Sequence, residues 1–173
     1  ELGTVVITLN DYPTVSATAI VKQAGTEAPA SVDITWNLTS VPEGFPTATG
    51  TKTGTYTIEG YEWSFNATSS FYQYQGNALL IGKSVGSYVQ LPVIEGKSLV
   101  EVKVTASSGT SEKVEVAISD TEGNVVSGGE NQTMKREQTF TWTLAGVEAG
   151  AALRIAIMNS NNAQFTQIAL KYE

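Results

Sequence analysis

The chain has 173 residues, 41% of them hydrophobic and only 16% charged, with a formal net charge of −7 and a pI near 4.6. The ten Lys and Arg residues are scattered, with Lys135-Arg136 their only adjacent pair, so a broad phosphate-binding surface, and with it nucleic acid as a partner, is excluded. Cysteine and histidine are absent, which removes disulfides, thiolate nucleophiles, Cys-type zinc sites and the commonest general base.

Taken in order, the chain opens inside a strand-like pattern, "TVVITLNDYPTVSATAIVKQAG". No signal peptide or membrane span is recognisable, and the chain reads as a mature protein or a piece of a larger one. "TEAPAS", 26–31, combines Pro with small residues and predicts a linker over 26–30. "VDITWNL" then places Val32, Ile34, Trp36 and Leu38 on one face of a strand. "SVPEGFPTATGTKTGT", 40–55, is long for a turn and predicts either a functional loop or a mobile one. "YEWSF" groups Tyr61, Trp63 and Phe65.

In "FYQYQGN", 71–77, Tyr72 and Tyr74 share one face and Phe71, Gln73 and Gln75 the other. "YVQLPVI" alternates Val89, Leu91 and Val93 against Tyr88, Gln90 and Pro92, and Pro92 predicts a strand end or an edge. "LVEVKVTA" sends Val100, Val102, Val104 and Ala106 inward, and "KVEVAISD" sends Val114, Val116 and Ile118. "TEGN", 121–124, predicts a tight turn. "QTFTWTL" buries Phe140, Trp142 and Leu144 behind threonines, "LRIAIM" buries Leu153, Ile155 and Ile157, and "QIALKYE" buries Ile168, Leu170 and Tyr172. No window holds a helical period. Strands with one apolar face, separated by turns, predict an all-β fold of two antiparallel sheets packed face to face.

Two stretches suit a sugar, whose apolar C–H faces stack on rings and whose hydroxyls bond amides. In "FYQYQGN" the pair Tyr72 and Tyr74 forms a platform with Asn77 beside it; the competing reading is a half-buried strand with wet hydroxyls. "MNSNNAQF" gathers Asn159, Asn161, Asn162 and Gln164 in one loop, against the plain reading of a turn. Tyr88 and Phe165 are further aromatics that could join a surface, and Lys83 a further donor. Catalysis finds no support, since no paired-carboxylate, Ser-His-Asp or phosphate-loop pattern stands out. No cofactor is expected. Asp120, Glu122 and Asn124 in "SDTEGN" read as a hairpin turn; a structural calcium held by backbone carbonyls leaves no trace in a sequence.

"TVVITLNDYPTVSATAIVKQAG" resembles the closing strands of a BACON domain, an immunoglobulin-like module of Bacteroidetes surface proteins, with Gln23-Ala24-Gly25 matching its usual ending. Residues 1–25 are therefore expected to be the tail of such a module. From 31 to 173 the chain is similar to galactose-binding-like β-sandwich domains, through "LLIGKSVGSYVQLPVIEGKSLVEVKV", "VEVAISDTEGNVV" and "IAIMNSNNAQFTQIALKYE". That resemblance implies a jelly-roll sandwich and a bacterial cell-surface accessory module, on a lipoprotein or other outer-membrane protein, that binds glycan without catalysis. It implies a neighbouring domain of the same polypeptide as a second partner. The alternative is a structural spacer or protein-interaction domain with no small ligand.

Overall fold

The computed structural model describes residues 3–9, 12–21, 30–82 and 84–173, the first two stretches by their backbone. Two units divide the chain, Glu1–Ala30 and Ser31–Glu173. In the first, β1 (Gly3–Leu9) and β2 (Tyr12–Val21) form an antiparallel hairpin with a register irregularity at Thr8/Leu9. Gln23-Ala24-Gly25, which carries the resemblance to a BACON ending, lies outside the described residues, as does Lys83.

The second unit runs β3 (Val32–Asn37), β4 (Thr53–Ile58), β5 (Tyr61–Asn66), β6 (Ser70–Tyr74), β7 (Ala78–Gly82), β8 (Tyr88–Gln90) and β9 (Leu99–Ala106). It continues with β10 (Glu115–Ser119), β11 (Gln132–Thr133), β12 (Thr139–Thr143), β13 (Arg154–Ile157) and β14 (Ala163–Tyr172). No helix occurs among the described residues. The first sheet has the order β11-β10-β13-β8-β5-β4 and the second β12-β9-β14-β7-β6, every pairing antiparallel. Strand β14 is long enough to hold β9 along one edge while β7 and β3 share the other, at 163–165 and 167–172.

Inward side chains of both sheets meet in one core, as period-2 strands with an apolar face require. Its centre is aromatic. Trp36 of β3 lies 5.5 Å from Trp63 of β5, and Phe65 stacks on Phe71 of β6 at 4.9 Å. The prolines, glycines and threonines over 40–55 hide a core residue: Phe45 is buried against Trp36, Tyr56, Phe65 and Phe71 at ring distances of 4.9–5.9 Å. This aromatic plug pins the loop to the sandwich, and β4 begins already at Thr53.

Three inward assignments shift. Leu99 is buried and Val100 only half-buried, because the β9–β14 ladder slips between Leu99 and Glu101 and leaves Val100 unpaired. Past Leu91, which is buried as expected, the alternation breaks, with Pro92 buried and Val93 53% exposed. Strand β8 does end before the proline, yet it sits inside its sheet between β5 and β13. Phe140 is half-buried, beside a fully buried Trp142.

Tyr172 links the last strand to the 91–98 connection, its hydroxyl donating to the Pro92 carbonyl at 2.7 Å. Burial pushes this phenol well above its ordinary 10.0, with the charge of Tyr61 adding to the effect. A raised native pKa means the unfolded chain loses the proton first, so the contribution is complete below pH 10 and lost as pH rises beyond it. Thermal melts should therefore show stability falling above pH 10. Tyr172→Phe should flatten that fall while costing about 1–2 kcal/mol at neutral pH, because the Pro92 carbonyl loses its donor. An unchanged alkaline profile in the variant would assign the fall to other groups.

Candidate functional site

The outer face of the first sheet carries a groove. Val89, Ile155, Ile157 and Ile118 point into the core, so their neighbours Tyr88, Gln90, Arg154, Ala156 and Ser119 line the opposite face. Pairing aligns them: Gln90 stands opposite Arg154, Arg154 opposite Ser119, and Tyr88 opposite Ala156. The groove encloses about 370 Å³. Its floor is Tyr88 and Ala156, the loop over 85–87 forms one wall, and Glu122 and Gly123 form the other. A second hollow of about 220 Å³ lies beside it over Glu62, Ser64 and Gln90.

Arg154 is held from three sides. Its Nε donates to Gln90 Oε1 at 3.0 Å, its Nη1 donates to the Thr121 carbonyl at 2.6 Å, and the guanidinium carbon stands 3.9 Å from the centre of the Tyr88 ring. Gln90 is fixed in turn, its Nε2 donating to the Leu153 carbonyl at 2.9 Å. The turn over 120–124 folds against this group because Asp120 ties it together. Asp120 Oδ1 accepts the backbone N–H of Glu122 and of Asn124, and Oδ2 accepts the Asn124 amide. Those bonds, the Asn124 amide foremost, hold the Asp120 carboxyl below its usual range. The carboxylate is thereby committed to its own turn, and no group of three His, Cys, Asp or Glu side chains converges on a metal position among the described residues.

The remaining candidates lie elsewhere. Phe71 is buried, so Tyr72 and Tyr74 take the outer face of the second sheet, half-buried and in edge contact with ring centres 6.2 Å apart. Gln73 is half-buried and spent on the fold, its Nε2 donating to the Leu38 carbonyl at 2.8 Å. Gln75 and Gly76 adopt φ of 52° and 73°, which makes the Gln75-Gly76-Asn77 end a tight turn with Asn77 exposed. Register places Tyr72, Leu80 and Gln164 in line across β6, β7 and β14, so the two sequence candidates share one sheet.

The amides of the 158–162 loop are mostly spent on tying it to the 111–113 segment. Asn159 Nδ2 donates to the Lys113 carbonyl at 2.7 Å, Asn161 Nδ2 donates to Asn159 Oδ1 at 3.1 Å, and Ser111 Oγ donates to Asn161 Oδ1 at 3.3 Å. Asn162 Oδ1 fills the space a side chain would need at Gly82, where a Cβ would lie 2.0 Å from it. Gln164 is only 8% exposed and its backbone is tied to Thr110. Phe165 is fully buried and joins no surface.

Tyr88 is thus the sequence candidate that lines the groove, and it lies on the sheet opposite Tyr72 and Tyr74. Arg154 was not among the candidates. Its signal was visible all the same: it is the one charged residue in "LRIAIM", at an outward position between buried Leu153 and Ile155.

No protein-family model matches the chain, and no curated protein is similar enough to count as a match. Among solved structures it is similar to a low-affinity xylan-binding module, CBM86, of the gut symbiont Roseburia intestinalis, at 9% identity and a TM-score of 0.41, covering 82% of this chain and 96% of the other. The module BiXyn10A CBM1 aligns at 10% identity and a TM-score of 0.35 over 80% and 96%, and the cupin domain of Schizosaccharomyces pombe Cnp3 at 11% and 0.25 over 98% and 86%. Likeness at this level places the chain in none of these families.

Proposed function

We propose that the second unit is a non-catalytic carbohydrate-binding module of a bacterial surface protein, with its binding site in the Tyr88–Arg154 groove. The observation that carries this reading is the groove itself, where an aromatic floor meets a planar set of donors already fixed in place. Rings take the apolar face of a sugar, and fixed N–H groups and carboxylate oxygens such as those of Glu122 take its hydroxyls. Fixing the donors in advance lowers the entropy lost on binding. The groove is only partly enclosed, so modest affinity is expected.

A second reading keeps the platform of Tyr72 and Tyr74, favoured by their two adjacent half-exposed rings. In either reading Asn159, Asn161 and Asn162 shape the end of the sandwich. Affinity electrophoresis against a panel of neutral and acidic polysaccharides separates the possibilities. Tyr88→Ala should weaken retention roughly tenfold, about 1.4 kcal/mol, because it removes the ring on which the Arg154 guanidinium is stacked and part of the apolar floor. Tyr72→Ala/Tyr74→Ala should leave it within about twofold. The reverse pattern would move the site to β6, and no retention of the wild type by any polysaccharide would favour a spacer.

A further inference from the structure

Arg154 is a half-buried cation with no counter-ion among the described residues. Acids outnumber bases seventeen to ten, yet the ion pairs among the described residues are Lys103–Glu101 and Lys171–Glu173, both at the surface and neither involving Arg154. The partners Arg154 does have are neutral: the Gln90 amide, the Thr121 carbonyl and the Tyr88 ring. Its Nη2 makes no hydrogen bond to a described residue. Glu122 lines the same groove, but its carboxylate lies beyond ion-pair distance of Arg154 and is 3.5 Å from the Asn124 amide. A partly desolvated charge that is held in place and left without an opposite charge is a site waiting for one.

We propose that the groove selects sugars bearing a carboxylate, with Arg154 as the residue that binds it; this rests on the glycan-binding reading above. A planar guanidinium matches a carboxylate in a fork geometry, which a hydroxyl cannot fill. The surroundings favour a single negative charge. Glu122 on the wall opposes a second negative charge inside the groove, as a phosphate monoester would bring. Stacking on Tyr88 fixes the guanidinium plane, so the sugar ring is placed over the rest of the apolar floor, Ala156 and Met158.

The test measures binding of the whole chain to polygalacturonate, alginate and hyaluronate, to fully methyl-esterified pectin as an uncharged form of the first backbone, to neutral xylan and cellulose derivatives, and to dextran sulfate. At least one carboxylated polymer should bind about tenfold tighter than its uncharged counterpart, and Arg154→Gln should remove that preference. Arg154→Lys should restore little of it, since an ammonium does not fork. Gln90→Glu places a carboxylate beside Arg154 Nε and should also remove the preference, which keeps the test informative if Arg154→Gln fails to fold by tryptophan fluorescence. Equal binding of free and esterified polymers, a preference that survives these variants, or binding of dextran sulfate alone overturns the carboxylate assignment. Binding of neutral polysaccharides only would overturn it while leaving the glycan reading intact. Failure to bind any polymer overturns both.

Discussion

Replacing Trp36 by alanine should destabilise the sandwich by about 3–5 kcal/mol, the range for removing a large buried aromatic. The side chain is fully buried and touches the rings of Phe45, Trp63 and Phe65, at 5.9, 5.5 and 6.0 Å. Its indole N–H donates to the Ser40 carbonyl at 2.9 Å, at the start of the 38–52 connection. The substitution therefore opens a cavity between the sheets and frees the loop that Phe45 pins. A domain of this size holds only about 5–15 kcal/mol in total, so a large share of it is at stake. Urea denaturation of the wild type, Trp36→Phe and Trp36→Ala should give a graded series, with limited proteolysis of the alanine variant cutting first within 40–52. A loss below about 1 kcal/mol would show that the core can collapse into the gap.

Function depends on the same core through one step of the chain. Val89 and Ile155 are fully buried, and their strand neighbours Tyr88 and Arg154 point the other way. The core thus fixes the strands, and the strands fix the spacing of ring and guanidinium across the groove. A site built on central strands β8 and β13 is held more firmly than one on loops.

The strands were legible in the sequence because their apolar residues repeat every second position: Ile34, Trp36 and Leu38 are buried as that period requires, and so are Val114, Val116 and Ile118. Single core residues in aperiodic segments were not legible. Phe45 sits in a run of prolines, glycines and threonines, and Met134 precedes a basic pair, so neither belongs to a repeating pattern, yet both are buried. The slip at Leu99 was invisible for a related reason, since a bulge shifts phase by one residue and a run of "LV" is apolar in either phase. For the site, composition pointed to rings and amides but not to which amides the fold consumes. Asn159 and Asn161 bond residues 46–50 positions away in the chain, a demand that only the tertiary structure sets. Arg154 gains its meaning in the same way, from Tyr88, Gln90 and Thr121, which pairing and a folded-over turn bring to it.

Gly128→Ala should cost about 2–5 kcal/mol, from two sources that a control can separate. Gly128 has φ of +81°, where an L side chain costs about 1–2 kcal/mol. A Cβ there would also lie 2.0 Å from the Thr143 carbonyl oxygen and 3.1 Å from Leu144 Cα, both backbone atoms that cannot rotate away. Overpacking of this kind adds about 1–3 kcal/mol. The contact matters because the 125–129 segment straps two strands of different sheets. Val126 N–H donates to the carbonyl of Ile118 in β10, Ile118 N–H donates to the Gly129 carbonyl, and Ala145 N–H, just past β12, donates to the Ser127 carbonyl. Gly146 has a similar φ of +67° but nothing within 4 Å of its would-be Cβ, so Gly146→Ala carries the backbone strain alone. Gly128→Ala should therefore lie below Gly146→Ala in chemical denaturation midpoint. Because the strap follows the turn that holds Arg154 through Thr121, it should also weaken glycan retention while Gly146→Ala does not. Equal stability of the two variants would mean that the strap moves aside freely and does not brace the groove.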